Sequence, residues 1–411
     1  MLPISALLTS VALLLAGGGL LGTLLAVRGR LEGFSDQTLG LIMSGYFVGF
    51  FLGTFTAPPL IRRVGHVRAF AFHAALAATS VMAYPLWVDP VGWAVLRVVT
   101  GMALVGLITV IESWLNSRAA PEQRSRTFAV YMMVTLVALA VGQLLLDTQP
   151  PGSFVLFSVV AILFSLATLP VTTTSLPQPI MAAAPKAGVA GIFRAAPSAA
   201  AGALISGLAL GAFWGMGPVY ASDLGLDRAG VGYFMSITIL GGAALQLPIG
   251  KLSDQGDRRT AIGLVSALAA GISMMVLLAD APASTTVYAL FFVFGGLAFA
   301  LYPLCVAHLL DRLPAASLLA GCSALLLING VGAAIGPAVA GFAMDRYGGD
   351  ALPGLFAASL GLLALLVGGR RLLRARILPH RAHFHPMLRT TPSALELLPE
   401  IPEPQSDSRT P

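Results

Sequence analysis

A chain of 411 residues in which 57% of side chains are hydrophobic and only 10% charged lacks the polar surface of a water-soluble globule, where about 25% of residues carry charge. Its mean hydropathy of +0.86 and formal net charge of +6 suit a membrane or an acidic partner, and only the placement of the charges separates the two. The two cysteines, Cys305 and Cys322, lie in apolar segments and exclude a disulfide framework.

In chain order, residues 2–27 run without a single charge, longer than the roughly 20 residues that cross a bilayer. No basic residue precedes them, so they read as a retained span rather than a cleaved leader. Further apolar runs follow at 36–60, 68–87, 91–115, 125–147 and 152–171, then at 197–221, 229–250, 259–279, 285–309, 315–343 and 351–369. Each is continuous and about a bilayer long, which predicts helices; barrel strands would be half that length and alternate in polarity. The predicted architecture is an all-α membrane protein of twelve spans. Between the sixth and seventh, residues 173–196 are rich in Thr, Pro and Ala and read as a cytoplasmic linker dividing an N-terminal bundle (1–172) from a C-terminal one (197–373). Residues 374–411 have no apolar periodicity and are expected to be a disordered cytoplasmic tail. The tail's His380, His383 and His385 lack the fixed frame a metal site needs.

The charges fall unevenly. Of the 24 Lys and Arg, only Arg97 lies within a span away from its first two residues, and Arg28, Arg30, Arg228 and Arg346 are the only ones in the odd-numbered loops. The even-numbered loops and the tail hold the rest, while the odd loops collect Asp89, Asp147, Asp223, Asp280 and Asp350. By the positive-inside rule both termini and the even loops are cytoplasmic. The net charge is therefore a statement about topology, and no nucleic-acid partner is expected.

A shift of 192 residues places Gly40, Met43, Ser44 and Gly49 on Gly232, Met235, Ser236 and Gly241. In both copies an acidic turn precedes an apolar run and a basic loop follows it. Duplicated six-helix halves point to a transporter with its solute site near mid-membrane, between the halves.

These features resemble the Major Facilitator Superfamily across residues 1–373. That family carries a motif of the form G-x3-D-R-x-G-R-R in the loop after the second helix and a weaker copy after the eighth. Here the second copy retains Gly250, Asp254, Arg258 and Arg259, with Asp257 at a glycine position. In the first copy, PPLIRRVGHVR at 58–68, Arg63 and Gly65 match, Pro58 replaces the glycine, Arg62 the acid, and His66 an arginine. A fourth-helix motif is present as Arg97, Gly101 and Gly106. The strings IESWLN (111–116) and RRVGHVRAF (62–70) are similar to the YcaD-type subgroup. The family's glycine- and proline-rich motif of the fifth helix, typical of proton-coupled drug exporters, is missing: Gln143 stands where proline would fall.

The resemblance implies a secondary transporter that moves a small solute across the bacterial cytoplasmic membrane by alternating access, with proton coupling open and drug or metabolite efflux as the alternative. It also implies that the basic loop is a cytoplasmic latch, built of Arg62, Arg63, Gly65 and Arg68 with Gly250, Asp254, Arg258 and Arg259. With Arg62 in the acid's place, the latch needs an acid from elsewhere. Glu112, toward the cytoplasmic end of the fourth helix, is read either as the partner of Arg63 and Arg68 or as a proton carrier. Arg97 either faces a cavity or snorkels to the outer surface. Gln143, Gln246, His308 and Asn329 either contact solute or bond a neighbouring helix backbone. Trp214 and Tyr220 flank Pro218, which is expected to break the seventh helix near its outer end, and are read as gate or interfacial anchor. A membrane enzyme is disfavoured by the absence of G-x-S-x-G and H-E-x-x-H, and a sensor by the absence of a sizeable output domain. The implied partners are a small-molecule solute, the lipid bilayer and, under proton coupling, protons. No cofactor or metal is expected, and the working unit is expected to be a monomer.

Overall fold

The structure is a computed structural model that describes residues 2–118, 124–173, 188–279, 283–314 and 317–373, with positions 179 and 387 besides. Most of the linker and the tail beyond 373, with its three histidines, lie outside the described residues. The described chain is helical: α1 (Leu2–Leu31), α2 (Asp36–Val64), α3 (His66–Ala83), α4 (Pro90–Arg118), α5 (Arg124–Leu144), α6 (Val155–Leu166) and α7 (Thr168–Thr172) form one half. A short α8 (Val189–Ala195) leads into α9 (Pro197–Asp223), α10 (Arg228–Gln255), α11 (Arg258–Leu278), α12 (Ser284–Leu310), α13 (Leu318–Tyr347) and α14 (Ala351–Leu373). A single 3-10 turn, Leu145–Thr148, extends α5.

Eleven of these helices are long and apolar enough to cross a membrane. The expected third span, α3, is the shortfall. It is 18 residues long and carries His66, Arg68 and His73, which lower its hydropathy. It nevertheless packs along α4 and α6 as a full member of the bundle.

Helix pairing repeats between the halves. In the first, α2 packs on α4, α1 on α5 and α3 on α6; in the second, α10 packs on α12, α9 on α13 and α11 on α14. The repeated sequence positions explain how. Ser35 caps α2 by accepting from the Thr38 N–H at 3.2 Å, and Asp227, 192 residues on, caps α10 by accepting from the Gly230 N–H at 2.8 Å. Gly49 lies against the Val98 carbonyl of α4, and Gly241 against the Phe292 carbonyl of α12. A Cβ at either site would collide with that oxygen, so the small residue lets two backbones touch, as membrane helices require where lipid supplies no hydrophobic drive.

The halves meet by the same rule. Gly40 of α2 sits on the Pro337 carbonyl of α13, and Gly232 of α10 on the Gln143 carbonyl of α5. Ser44 Oγ accepts from the Ala338 N–H at 3.1 Å, and Ser236 Oγ donates to the Ala140 carbonyl at 2.7 Å. The Ala338 N–H follows a proline that has no N–H of its own.

Two expectations about proline are corrected. Pro218 does not break α9, which runs on to Asp223; surrounding helices and side chains compensate a lost backbone bond in a membrane bundle. The basic stretch expected as a loop is helical too. α2 continues through Pro58 and Pro59 to Val64, carrying Arg62 and Arg63 in its last turn. Gly65 alone turns the chain, with φ of 85° and ψ of 165°, a conformation open to glycine and strained for other residues.

Candidate functional site

A cavity of about 160 Å³ lies where α1, α2, α4 and α5 face α9. Its walls come almost wholly from the first half, with Trp214 and Gly215 supplied by the second. Leu14, Phe47, Phe50, Leu104, Ile108 and Leu139 make most of the lining apolar. Polar groups enter chiefly at three places, with the Thr135 hydroxyl besides.

The first is Arg97. It is buried, at 6% exposure, and lines the cavity instead of snorkelling to the surface. Its guanidinium stands 5.0 Å from the centre of the Tyr46 ring, and one terminal N–H lies 3.2 Å from the Met43 sulfur. The ring face attracts the cation, but Nε has no hydrogen-bond partner. Gly45, next to Tyr46 on α2, lies on the Ala94 carbonyl and the Arg97 side chain, so close helix approach fixes where the arginine sits.

The second is Gln143 on α5. It accepts from the Thr23 hydroxyl and donates to the Gly19 carbonyl at 3.1 Å, tying α5 to α1 across the cavity wall. The third is Tyr131, whose hydroxyl donates to Glu112 at 2.8 Å. Glu112 is fully buried. The acid therefore stands behind a tyrosine that faces the cavity.

The latch residues lie elsewhere. Arg62, Arg63 and Arg68 are exposed, and none forms an ion pair with Glu112 in this conformation. The structure does bring together the second copy of the motif. Arg258, at 2% exposure, pairs with Asp254 at 3.0 Å and with Asp311 at 2.7 Å. It thereby clamps α10, α11 and α12 within one half. Arg259 sits partly buried beside it, and Gly250 is buried one turn before Asp254. At the equivalent place in the first half, buried His66 lies 3.0 Å from Ser113 and packs against Trp114 with ring centroids 5.3 Å apart.

Three further predicted residues are buried outside this cavity. Gln246 donates to the Phe299 carbonyl at 3.2 Å, and Asn329 to the Ala203 carbonyl at 2.9 Å; both bridge neighbouring helices. His308 lies near the charges of Arg312, Arg259 and Asp257, and its Nε2 has no hydrogen-bond partner among the described residues. Trp214 lines the cavity and edges onto Phe299 at 5.9 Å. Tyr220 is buried among Phe234 and Phe291, at 6.2 and 5.8 Å, and so is no interfacial anchor.

Sequence reasoning missed a pair at the opposite end. Arg30, in the last turn of α1, bonds Asp36 of its own half at 3.1 Å and Asp223 of the other half at 2.6 Å. The signal available was an arginine isolated among acids in the odd-numbered loops. Beside this pair Gly341 lies on the Asp36 carbonyl, so the two halves are closed together at the end that carries the odd loops.

The Major Facilitator Superfamily model matches residues 7–199 and again 199–393. The chain belongs to that superfamily. A curated relative, the MFS-type transporter YcaD of Escherichia fergusonii, is 27% identical over 369 residues, covering 89% of this chain and 94% of its own. The relative Ent638_1421 of Enterobacter sp. (strain 638), also named as an MFS-type transporter, is 28% identical with the same coverage of 89% and 94%. Among solved structures, a variant of the nucleoside transporter NupG superposes with a TM-score of 0.77 at 14% identity, covering 90% of this chain and 99% of that one. Membership makes this chain a multi-pass membrane transporter. Within the superfamily's two-bundle fold, the cavity occupies the expected place between the halves, but the first half supplies nearly all its chemistry.

Proposed function

We propose that the chain is a secondary transporter that moves one small solute through the Arg97 cavity by alternating access across the cytoplasmic membrane. The observation that carries this reading is the one-ended closure of the two halves: Gly40 on Pro337, Gly232 on Gln143 and the Arg30–Asp223 pair all lie toward the odd-loop end. The cavity sits just beyond that closure. With termini and even loops in the cytoplasm, as the arginine distribution indicates, this is the inward-facing state. Residues 1–172 and 197–373 then rock as two bodies joined by the 173–196 linker, and a single chain suffices. Arg30 and Asp223 act as the outer gate, an exposed ion pair weak enough to break in each cycle. Arg62, Arg63 and Arg68 are free to form the latch when the cytoplasmic end closes.

Glu112 favours a second role. Its partner Tyr131 faces the cavity, which suits a proton site coupled to the solute better than a latch residue at the membrane surface.

The test is exchange of labelled solutes by the full chain in liposomes, using a panel of organic acids, sugars and nucleosides. Cysteines placed by Arg30→Cys and Asp223→Cys, joined by a short bis-maleimide, should stop exchange that the unjoined variant performs. The native cysteines are buried and do not interfere. Undiminished exchange in the joined protein, or none for any solute in the wild type, would contradict the proposal.

A further inference from the structure

Arg97 leaves the cavity electrostatically incomplete. A guanidinium keeps its charge under all ordinary conditions, and placing one at membrane depth costs about 2.5–3.5 kcal/mol on insertion scales. Such a residue persists where a partner repays the cost. The partners here are a tyrosine face, a thioether and an Nε with nothing. None carries negative charge, and no carboxylate among the described residues forms an ion pair with Arg97. Glu112 lies 15 positions along the same helix, about 22 Å away, and is engaged by Tyr131.

The rest of the wall narrows what can fill that vacancy of charge. Thr23 and Gln143 bond to each other, Gln143 also bonds the Gly19 carbonyl, and the Tyr131 hydroxyl is spent on Glu112. Thr135 Oγ1 lines the cavity without a hydrogen-bond partner among the described residues, but one spare hydroxyl falls short of the several groups a sugar would need. A cationic solute would meet Arg97 and be repelled. Phe47, Phe50 and Leu104 offer an apolar surface, and at Gly22 nothing lies within 4 Å of where a Cβ would stand. We infer that the transported solute is a small organic monoanion: a carboxylate held by the guanidinium of Arg97, with an apolar body lying along the phenylalanines toward Gly22. The inference rests on the transporter reading for its route across the membrane, but not for the binding itself. A bidentate carboxylate matches the guanidinium fork and gains strength in a dry site. Loading would also neutralise the buried charge before the halves move.

Binding to the purified full chain in detergent at pH 7 decides the matter, read from the change in tryptophan fluorescence, to which Trp214 in the cavity wall contributes, and from the thermal transition. The probes are benzoate, phenylacetate and hexanoate, each against its neutral amide. At least one acid should bind saturably while its amide does not. Arg97→Gln should weaken that acid about 10- to 150-fold, the range expected for loss of a charged hydrogen bond, and Arg97→Lys less. Gly22→Leu keeps the arginine and fills the space; it should abolish binding while the protein still folds, which covers the case of an unstable Arg97 variant. Amides binding as well as acids, unaltered binding in Arg97→Gln, or no saturable binding by any of the three acids would overturn the inference. Acid binding without exchange in liposomes would uphold the anion site and defeat the transporter reading. Exchange of a neutral solute without acid binding would do the reverse.

Discussion

Arg97, Glu112 and Arg30 are the residues on which the account turns, and their legibility in the sequence differs. Arg97 is conspicuous because a lone cation in an apolar run demands a reason. Its surroundings are not: Tyr46, Phe47, Phe50 and Tyr131 look like ordinary core until the helices are placed. Glu112 is conspicuous too, yet its partner came from α5, outside the reach of spacing arguments. The consequence is testable. Tyr131→Phe leaves the fully buried Glu112 side chain without that hydroxyl, a loss of about 0.5–3 kcal/mol, the upper part of that range applying when the acid is ionised. If Glu112 carries the coupled proton, Glu112→Gln should make exchange insensitive to pH, and Tyr131→Phe should move its pH midpoint. Arg63→Ala should leave the pH profile alone. Pairing of Glu112 with Arg63 predicts the opposite, with both substitutions acting alike on the conformational balance and neither on the pH profile.

At the scale of elements, the twelve apolar runs locate the helices because each bilayer crossing needs the same length. The repeat at 192 residues is legible for a physical reason: Gly40, Ser44 and Gly49 and their counterparts sit where backbones touch or bond across helices, and such sites tolerate little change. Gly49→Ala or Gly241→Ala should therefore lower thermal stability in detergent by about 1–3 kcal/mol, the ordinary cost of overpacking. A neutral result would show that the helices can part. Helix ends were less legible, since Pro58, Pro59 and Pro218 are tolerated within helices here.

The α11 N-terminus offers a solvent-side check. Asp257, which occupies a glycine position of the family motif, caps that helix through the Arg259 and Thr260 N–H groups and the Thr260 hydroxyl. Burial pushes its carboxyl up, but the bonds from Thr260 and Arg259 outweigh it and hold the carboxyl below its ordinary value. A depressed carboxylate stabilises above its unfolded pKa and loses that contribution as pH falls through the folded one. Asp257→Ala should cost about 1 kcal/mol near neutral pH, and its deficit should shrink below about pH 4. A deficit that stays constant across that range would rule out the charged cap.

For the whole molecule, two bundles were legible from the repeat and the linker, but the closed end was not. Closure depends on Arg30 and Asp223, 193 positions apart, and on glycines that read as generic packing. The central claim is that this closure alternates with closure at the other end. The Arg30–Asp223 pair has side-chain exposures of 35% and 23%, so its loss should shift the balance only about two- to five-fold, as for other exposed pairs. The most direct measurement is a set of spin-label distances across the halves, in wild type and Arg30→Ala. One pair would stand at Leu41 and Phe342, exposed positions on α2 and α13 at the closed end, and the other at Ala129 and Leu252 on α5 and α10 at the opposite end. The account predicts a reciprocal change in Arg30→Ala: a longer population grows at the first pair as a shorter one grows at the second, in equal proportion. Distances that lengthen together, or that stay fixed at both ends, would contradict it.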